Sequence, residues 1–414
     1  MSLRRWSGAL LLLLTSLAAG AQTPMTPCRI EGMPNELQCG VMKRPLDPAR
    51  PQGVQIELHY AVVPAMARNK QPDPVLLLAG GPGQSAISLA PAVLSRLSRL
   101  NNRRDLVFID QRGTGRSAPL QCADDVDLTL AEAADDKVQA RRLAQCRQDL
   151  ALLPYGGDEG LRFFTTTIAM QDFEAVREAL GAPQWNLVGA SYGTRAALEY
   201  QRQYPGRVRR TVLDGVAPPD MVLPASFSVD GQAALDALFA ACETDAAGCA
   251  KQYPALRERW QQLLHGLPRK VSALSPRTGL PETFVLTPEL LLRAVRAPLY
   301  APALAAALPA AIDAAASGRY EGLLGLGVAL GGGGKRDSSS RLAMGMHFSV
   351  ICAEDLPRLQ GTEAAGADFA RVDAHMYEQA CKTWPRGVVP PAFYTVPPAQ
   401  SPVLVLSGGV DPAT

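Results

Sequence analysis

The sequence predicts an α/β protein: a mostly parallel sheet with helices on both faces, and a helical insertion ahead of the last strand. Three observations predict it. Short β-rich apolar runs recur through the first half, helical patterns lie between them, and the β pattern returns after a long helix-like stretch. Strands that alternate with helices imply parallel pairing, because a parallel neighbour is reached only through a crossover that covers a face of the sheet.

Residues 54–63 alternate apolar and polar side chains, the period of a half-buried strand. Residues 75–78, 106–109, 185–188 and 211–213 are short apolar runs bounded by Gly, Pro, Asp or Asn, and they read as buried strands. The stretch 168–180 reads as a helix, since Phe173, Val176 and Leu180 recur at helical spacing before Gly181. Residues 194–204 read as another helix. After Asp214-Gly215 the rhythm changes. From 220 to 398 the chain is Ala- and Leu-rich, helix-like and punctuated by prolines. Within it, Gly at 331–334 followed by the polar run 335–340 predicts a mobile loop. The β pattern returns at 403–406, followed by Ser407-Gly408-Gly409-Val410-Asp411. The organisation expected is a leader at 1–21, a core from 22 to 219, a helical cap at 220–398, and a return to the core at 399–414.

Composition narrows the class. With 414 residues, 47% of them hydrophobic, the chain can bury more than one ordinary core, which fits a core plus an insertion. A net charge of +2, without a block of Lys or Arg and without RNP, zinc-finger or phosphate-loop patterns, argues against a nucleic-acid partner. Arg4 and Arg5, the apolar run from Leu10 to Leu17 and the small residues Ala19-Gly20-Ala21 have the layout of a secretory signal. The rival is an uncleaved membrane anchor, for which the run is short. The mature protein is expected to be soluble, secreted or periplasmic, with no stable membrane association.

Eight cysteines fit that compartment: Cys28, Cys39, Cys122, Cys146, Cys242, Cys249, Cys352 and Cys381. Many pairings are open to them; joining neighbours in sequence order closes four local loops and is the expected framework. A metal site is the rival. It is weakly supported, because Cys-x-x-Cys is absent and the four histidines lie far apart. No metal or cofactor is expected.

Gly189-Ala190-Ser191-Tyr192-Gly193 stands between a strand-like run and a helix-like segment. This is the layout of a nucleophile elbow, a turn so sharp that the neighbours of the serine must be small. Gly80-Gly81-Pro82-Gly83 directly follows the run 75–78. An acyl-transfer site needs backbone N–H donors where the carbonyl oxygen becomes negative, and glycines let a main chain come close enough. Each pattern alone is also an ordinary tight turn. Their joint placement at the ends of candidate strands is harder to explain without chemistry.

Together with Leu78-Ala79-Gly80-Gly81-Pro82-Gly83, the segment Asp110-Gln111-Arg112-Gly113-Thr114-Gly115-Arg116-Ser117 and the elbow resemble proline iminopeptidases and their tripeptidyl aminopeptidase relatives, secreted serine peptidases of the α/β-hydrolase fold. Ser349-Val350-Ile351-Cys352-Ala353-Glu354-Asp355 is similar to a further signature of that group, and the resemblance runs from about Cys28 onward. Ala79 stands where many relatives carry histidine. The resemblance implies Ser191 as nucleophile, the amides of Gly81 and Tyr192 as oxyanion donors, and Asp411, just after the late strand, as the acid of the triad. Asp411 before Pro412 is also a common turn residue. Asp110 and Arg112 are expected to shape the turn beside the oxyanion loop.

In this fold the triad runs serine, acid, histidine. His59, His265, His347 and His375 all precede Asp411, so the base is expected beyond Thr414, with the final strand and helix. On that expectation the 414 residues are truncated and lack most of the activity. An exopeptidase that reads a free N-terminus needs a carboxylate for the ammonium; Glu354 and Asp355 are the candidates, with a solvated acidic turn as the rival. Short peptides are the expected substrates. An esterase of the same fold, or a binding protein descended from such an enzyme, are the alternatives.

Overall fold

The structure, a computed structural model, describes residues 25–123, 128–155, 157–329, 341–359, 367–369 and 374–414. The expected leader and the loop at 331–340 lie outside these residues. The described strands are β1 (Thr26–Cys28), β2 (Leu37–Pro45), β3 (Gln55–Val63), β4 (Val75–Leu78), β5 (Leu106–Ile109), β6 (Trp185–Ser191), β7 (Val208–Val216), β8 (Arg269–Leu274), β9 (Pro281–Leu286) and β10 (Val403–Leu406). Eight of them form one sheet in the order β1-β2-β3-β5-β4-β6-β7-β10. Pairing is antiparallel from β1 to β5 and parallel from β5 through β10.

Both faces of the central strands are covered. Val75 and Leu77 pack toward helix Ala86–Asn101, whereas Leu76 and Leu78 pack toward helices Thr166–Ala179 and Tyr192–Gln203. Successive side chains of a strand point to opposite faces, so a strand buried on both sides reads as an unbroken apolar run. The helices start where capping chemistry permits. Ser85 accepts from Ser88 N, Thr165 from Ile168 N and Thr287 from Leu290 N, each satisfying an amide that the first turn leaves free.

Runs β4, β5 and β10 match the residues expected for them. β6 continues to Ser191, and β7 spans more than the expected 211–213. Strand β2 was not legible in the sequence: its burial does not alternate cleanly, and Gly40 sits where a Cβ would run into the Tyr60 ring.

The expected helical cap is not wholly helical. It carries an antiparallel hairpin of β8 and β9, whose Val271, Ala273, Phe284 and Leu286 join a core with Leu235, Phe239, Trp260, Val295 and Ile312. Helix Met344–Glu354 lies within the same stretch of sequence but packs elsewhere, in a cluster with Leu120, Phe164 and Tyr192. It belongs spatially to the core. The four disulfides are those expected: Cys28–Cys39, Cys122–Cys146, Cys242–Cys249 and Cys352–Cys381. The last ties helix Met344–Glu354 to helix Ala374–Thr383. Among the described residues, no helix is long and apolar enough to cross a membrane.

Candidate active site

Strand β6 ends on Ser191 and a helix begins at the next residue. Ser191 has φ 53° and ψ −127°, a conformation that costs a residue bearing a Cβ about 1–3 kcal/mol and persists only where its surroundings impose it. The surroundings are tight. A Cβ on Gly189 would come within 2.5 Å of the Gly193 carbonyl oxygen, and one on Gly193 would run into the Leu78 carbonyl. The elbow glycines are therefore steric necessities. Among the described residues, nothing hydrogen-bonds the Ser191 hydroxyl.

The glycine-rich loop after β4 lies against this turn: a Cβ on Gly80 would stand 3.3 Å from that of Ser191. Gly81 and Gly83 both have φ +114°, open to glycine at little cost. The Tyr192 amide opens its helix, where no intrahelical acceptor exists and the helix dipole favours negative charge. Gly81 N donates to no main-chain acceptor among the described residues. Asp110 braces the loop from behind, accepting from Ser85 Oγ at 2.6 Å, Ile87 N at 3.1 Å and Arg116 N at 3.2 Å. Burial pushes the Asp110 pKa up despite those bonds. Arg112 is spent on structure, bonded to Asp172 at 2.7 and 2.9 Å and to the carbonyls of Leu46 and Phe163.

Asp411 follows β10, which pairs in parallel with β7, and Val216 of β7 is in register with Ser191. A Cβ on Gly215 would lie 3.3 Å from Asp411 Oδ2, so this carboxylate stands at the same end of the sheet as the serine. It accepts from the amides of Ala413 and Thr414 and, at 2.7 Å, from Thr414 Oγ1.

None of the four histidines bonds Ser191 or Asp411. His59 sits on β3 with Nε2 3.7 Å from Glu57, and its pKa is lowered by burial, against the pull of Glu57. His347 is buried between the Pro82 carbonyl at 3.1 Å and the Tyr377 hydroxyl at 2.8 Å, a brace under the glycine-rich loop. His265 ends a cap helix. His375 lines a cavity of about 760 Å³ with Leu143, Met376 and Trp384, which neither Ser191 nor Asp411 reaches. Among the described residues, no group of three His, Cys, Asp or Glu is placed to hold a metal.

Glu354 and Asp355 do not stand as an ammonium site. Both are buried. Asp355 holds Arg195 through bonds of 2.9 and 3.0 Å and accepts from Leu223 N; Glu354 accepts from Thr166 N at 2.7 Å and Thr166 Oγ1 at 3.0 Å. Their charge is met by the guanidinium of the elbow helix rather than offered to a cleft. The spacing of the two acids says nothing about this, because Arg195 is distant in sequence.

The sequence reading missed Asp230. It lies on the long helix Ala225–Thr244, and its Oδ2 is shielded from solvent without a hydrogen-bond partner. Burial, and then repulsion from Asp411, raise its pKa. Tyr300 feels both acids: burial raises its pKa, Arg296 opposes that, and the charges of Asp411 and Asp230 add to it. No local motif marks Asp230; only folding places its charge within reach of Asp411.

Comparison with known proteins agrees with the geometry. A family profile described as alpha/beta hydrolase fold matches residues 73–260. The chain is 33% identical over 198 residues to tripeptidyl aminopeptidase of Streptomyces coelicolor, covering 45% of this chain and 36% of that one. It is 30% identical over 213 residues to serine protease Hip1 of Mycobacterium tuberculosis, covering 49% and 41%. Proline iminopeptidase aneH of Aspergillus aculeatus is 28% identical over 226 residues, covering 51% and 41%. The match thus spans about two-fifths of each relative's length. The chain has the α/β-hydrolase fold and resembles peptidases built on it.

Proposed function

We propose that the protein is a serine peptidase that cleaves short peptides from a free N-terminus through an acyl-enzyme on Ser191. The observation that carries this reading is the strained Ser191 at the end of β6 with a glycine-rich loop packed against it. Relatives named as tripeptidyl aminopeptidase, serine protease and proline iminopeptidase support a peptide substrate. The four disulfides fit an oxidising compartment, secreted or periplasmic.

In this mechanism Ser191 Oγ attacks the scissile carbonyl, and the oxygen that becomes negative accepts from the amides of Gly81 and Tyr192. A base takes the serine proton and returns it to the leaving amine; water then hydrolyses the acyl-enzyme by the same route in reverse. Asp411 orients that base and stabilises its charged form. None of the four histidines bonds Ser191 or Asp411, so this reading takes the base to be a further histidine. Asp230 is the proposed counter-charge for the substrate ammonium, being unpartnered and on the side of Asp411. A cation losing water in a cleft requires such a carboxylate.

The test uses the full-length protein. A fluorophosphonate should label Ser191, and Ser191→Ala should abolish labelling and lower turnover by several orders of magnitude. Asp230→Asn should lower kcat/KM on free-amine peptides about tenfold or more, with little effect on N-acetylated analogues. Labelling that persists in the Ser191 variant would overturn the assignment. Turnover of acyl esters with none of aminoacyl or tripeptidyl amides would make the protein an esterase.

A further inference from the structure

Glu354 faces the back of the nucleophile elbow, at the end of a hydrogen-bond chain that crosses from one helix to another. Gln111 Nε2 donates to the Tyr192 hydroxyl at 3.0 Å, that hydroxyl lies 2.6 Å from Thr166 Oγ1, and Thr166 Oγ1 donates to Glu354 Oε2 at 3.0 Å. Thr166 N donates to the other carboxylate oxygen at 2.7 Å. All four side chains are buried. A carboxylate only accepts, so Thr166 must give its proton to Glu354, and Tyr192 must then give its own to Thr166. The ionised acid fixes the direction of every bond back to the ring of Tyr192.

Tyr192 is the residue after Ser191. Three residues along the same helix, and hence on the same face, Arg195 is held by Asp355 at 2.9 and 3.0 Å and lies 3.7 Å from Glu354. The adjacent acids at the end of helix Met344–Glu354 therefore grip the first turn of the elbow helix at two points. The groups facing Glu354 are Arg195, Asp355, Tyr192 and Thr166, with Tyr394 and Arg358 bonded to its carbonyl.

We propose that Glu354 is a positioning residue: through Thr166 it holds the Tyr192 ring, and with it the strained main chain that aims the Ser191 hydroxyl and the Tyr192 amide. The proposal rests on Ser191 as nucleophile and Tyr192 as oxyanion donor. It differs from an ammonium role in a measurable way, because a misaligned elbow slows chemistry on every substrate, whereas a lost ammonium contact affects only substrates with a free amine.

The experiment compares Thr166→Val, Thr166→Ser, Tyr192→Phe and the Thr166→Val/Tyr192→Phe double variant with wild type, all full-length. It reads the rate of fluorophosphonate labelling at Ser191, kcat and KM on matched free-amine and N-acetylated substrates, and Tm. Thr166→Val and Tyr192→Phe should each lower labelling and kcat about tenfold with KM within about twofold, equally on both substrates. Thr166→Ser keeps the hydroxyl and should restore most of the rate. The double variant should be little worse than either single one, because both cut one chain. Glu354→Gln, if it folds, should match them, since the amide puts an NH2 donor in place of one of the two oxygens that accept from Thr166. Wild-type labelling rates and kcat in folded Thr166→Val and Tyr192→Phe would overturn the proposal, as would losses confined to free-amine substrates. Wild type that is not labelled at Ser191 would instead overturn the serine-peptidase reading, and this proposal with it.

Discussion

Strands β4 and β10 carry nearly the same residues, Val-Leu-Leu-Leu and Val-Leu-Val-Leu, and meet opposite environments. No residue of β4 is more than 7% exposed, whereas every residue of β10 is at least 38% exposed. Both are parallel strands in one sheet. The difference is position: β4 lies between β5 and β6 with helices on both faces, while β10 pairs only with β7 among the described residues. An apolar run thus records what a strand is suited to, and the neighbours decide what it receives. An exposed apolar edge is also a template for pairing with another chain, which sequence alone cannot distinguish from a core strand.

The proposed chemistry does not follow this division. The ends of central strands β4 and β6 carry the glycine-rich loop and Ser191, and the exposed β10 is followed by Asp411. The largest effect expected here tests that contrast. Asp411→Asn in the full-length protein should lower kcat about a thousandfold or more while leaving Tm nearly unchanged, as removal of a triad acid does when the geometry survives. Unchanged kcat would mean that Asp411 is only the turn residue its bonds to Ala413 and Thr414 describe.

Stability should divide the other way. Leu76→Ala should cost about 2–5 kcal/mol in urea unfolding of the 414-residue chain, because it opens a cavity between two covered layers. Leu404→Ala should cost less than about 1 kcal/mol in the same chain. Equal losses would mean that β10 is covered in solution, by another copy or by a segment not described here. Repeating the unfolding across protein concentrations would separate those two, since only cover by another copy depends on concentration.

A smaller effect concerns Glu354. Burial raises its pKa from 4.5 to about 7, against the attraction of Arg195. The folded protein then holds this proton more tightly than the unfolded chain. The stabilising contribution is full below the unfolded value and is lost as pH rises through about 7. Tm of wild type should therefore decline across that window, and Glu354→Gln should flatten the decline. Asp110 and Asp230 are raised and tilt the slope the same way, whereas the lowered His59 tilts it the other way, so Glu354 is read from the difference between variant and wild type. An unchanged slope in the variant would show that Glu354 is ionised throughout. The ionised form, less favourable for stability, is the one that orients Thr166 and Tyr192, a familiar tension between a firm fold and an aligned site.

Much of the scaffold was legible because its signals are local. Covered strands must be apolar on both faces, so β4 and β5 showed themselves as runs; the elbow showed itself because Gly189 and Gly193 have no room for a Cβ. Cysteines close in sequence can pair with little demand on the rest of the chain, and all four pairs were legible for that reason. Hairpin β8-β9 was not, since a two-stranded sheet of six residues a side leaves a weak pattern in an Ala- and Leu-rich stretch.

What only the tertiary structure decided is which charges meet. The sequence determined that Glu354 and Asp355 are adjacent acids beside a cysteine; it could not say that Arg195 and Thr166 would enclose them, because those partners are 160 and 188 residues away. Nor could it distinguish Asp230 from other helix aspartates until folding left its Oδ2 unpartnered and set Asp411 near enough to raise its pKa. Backbone shape is fixed by sterics within a few residues, so the sequence carries it openly. Electrostatic role depends on distance through space and on the loss of water, and neither exists before the chain has folded.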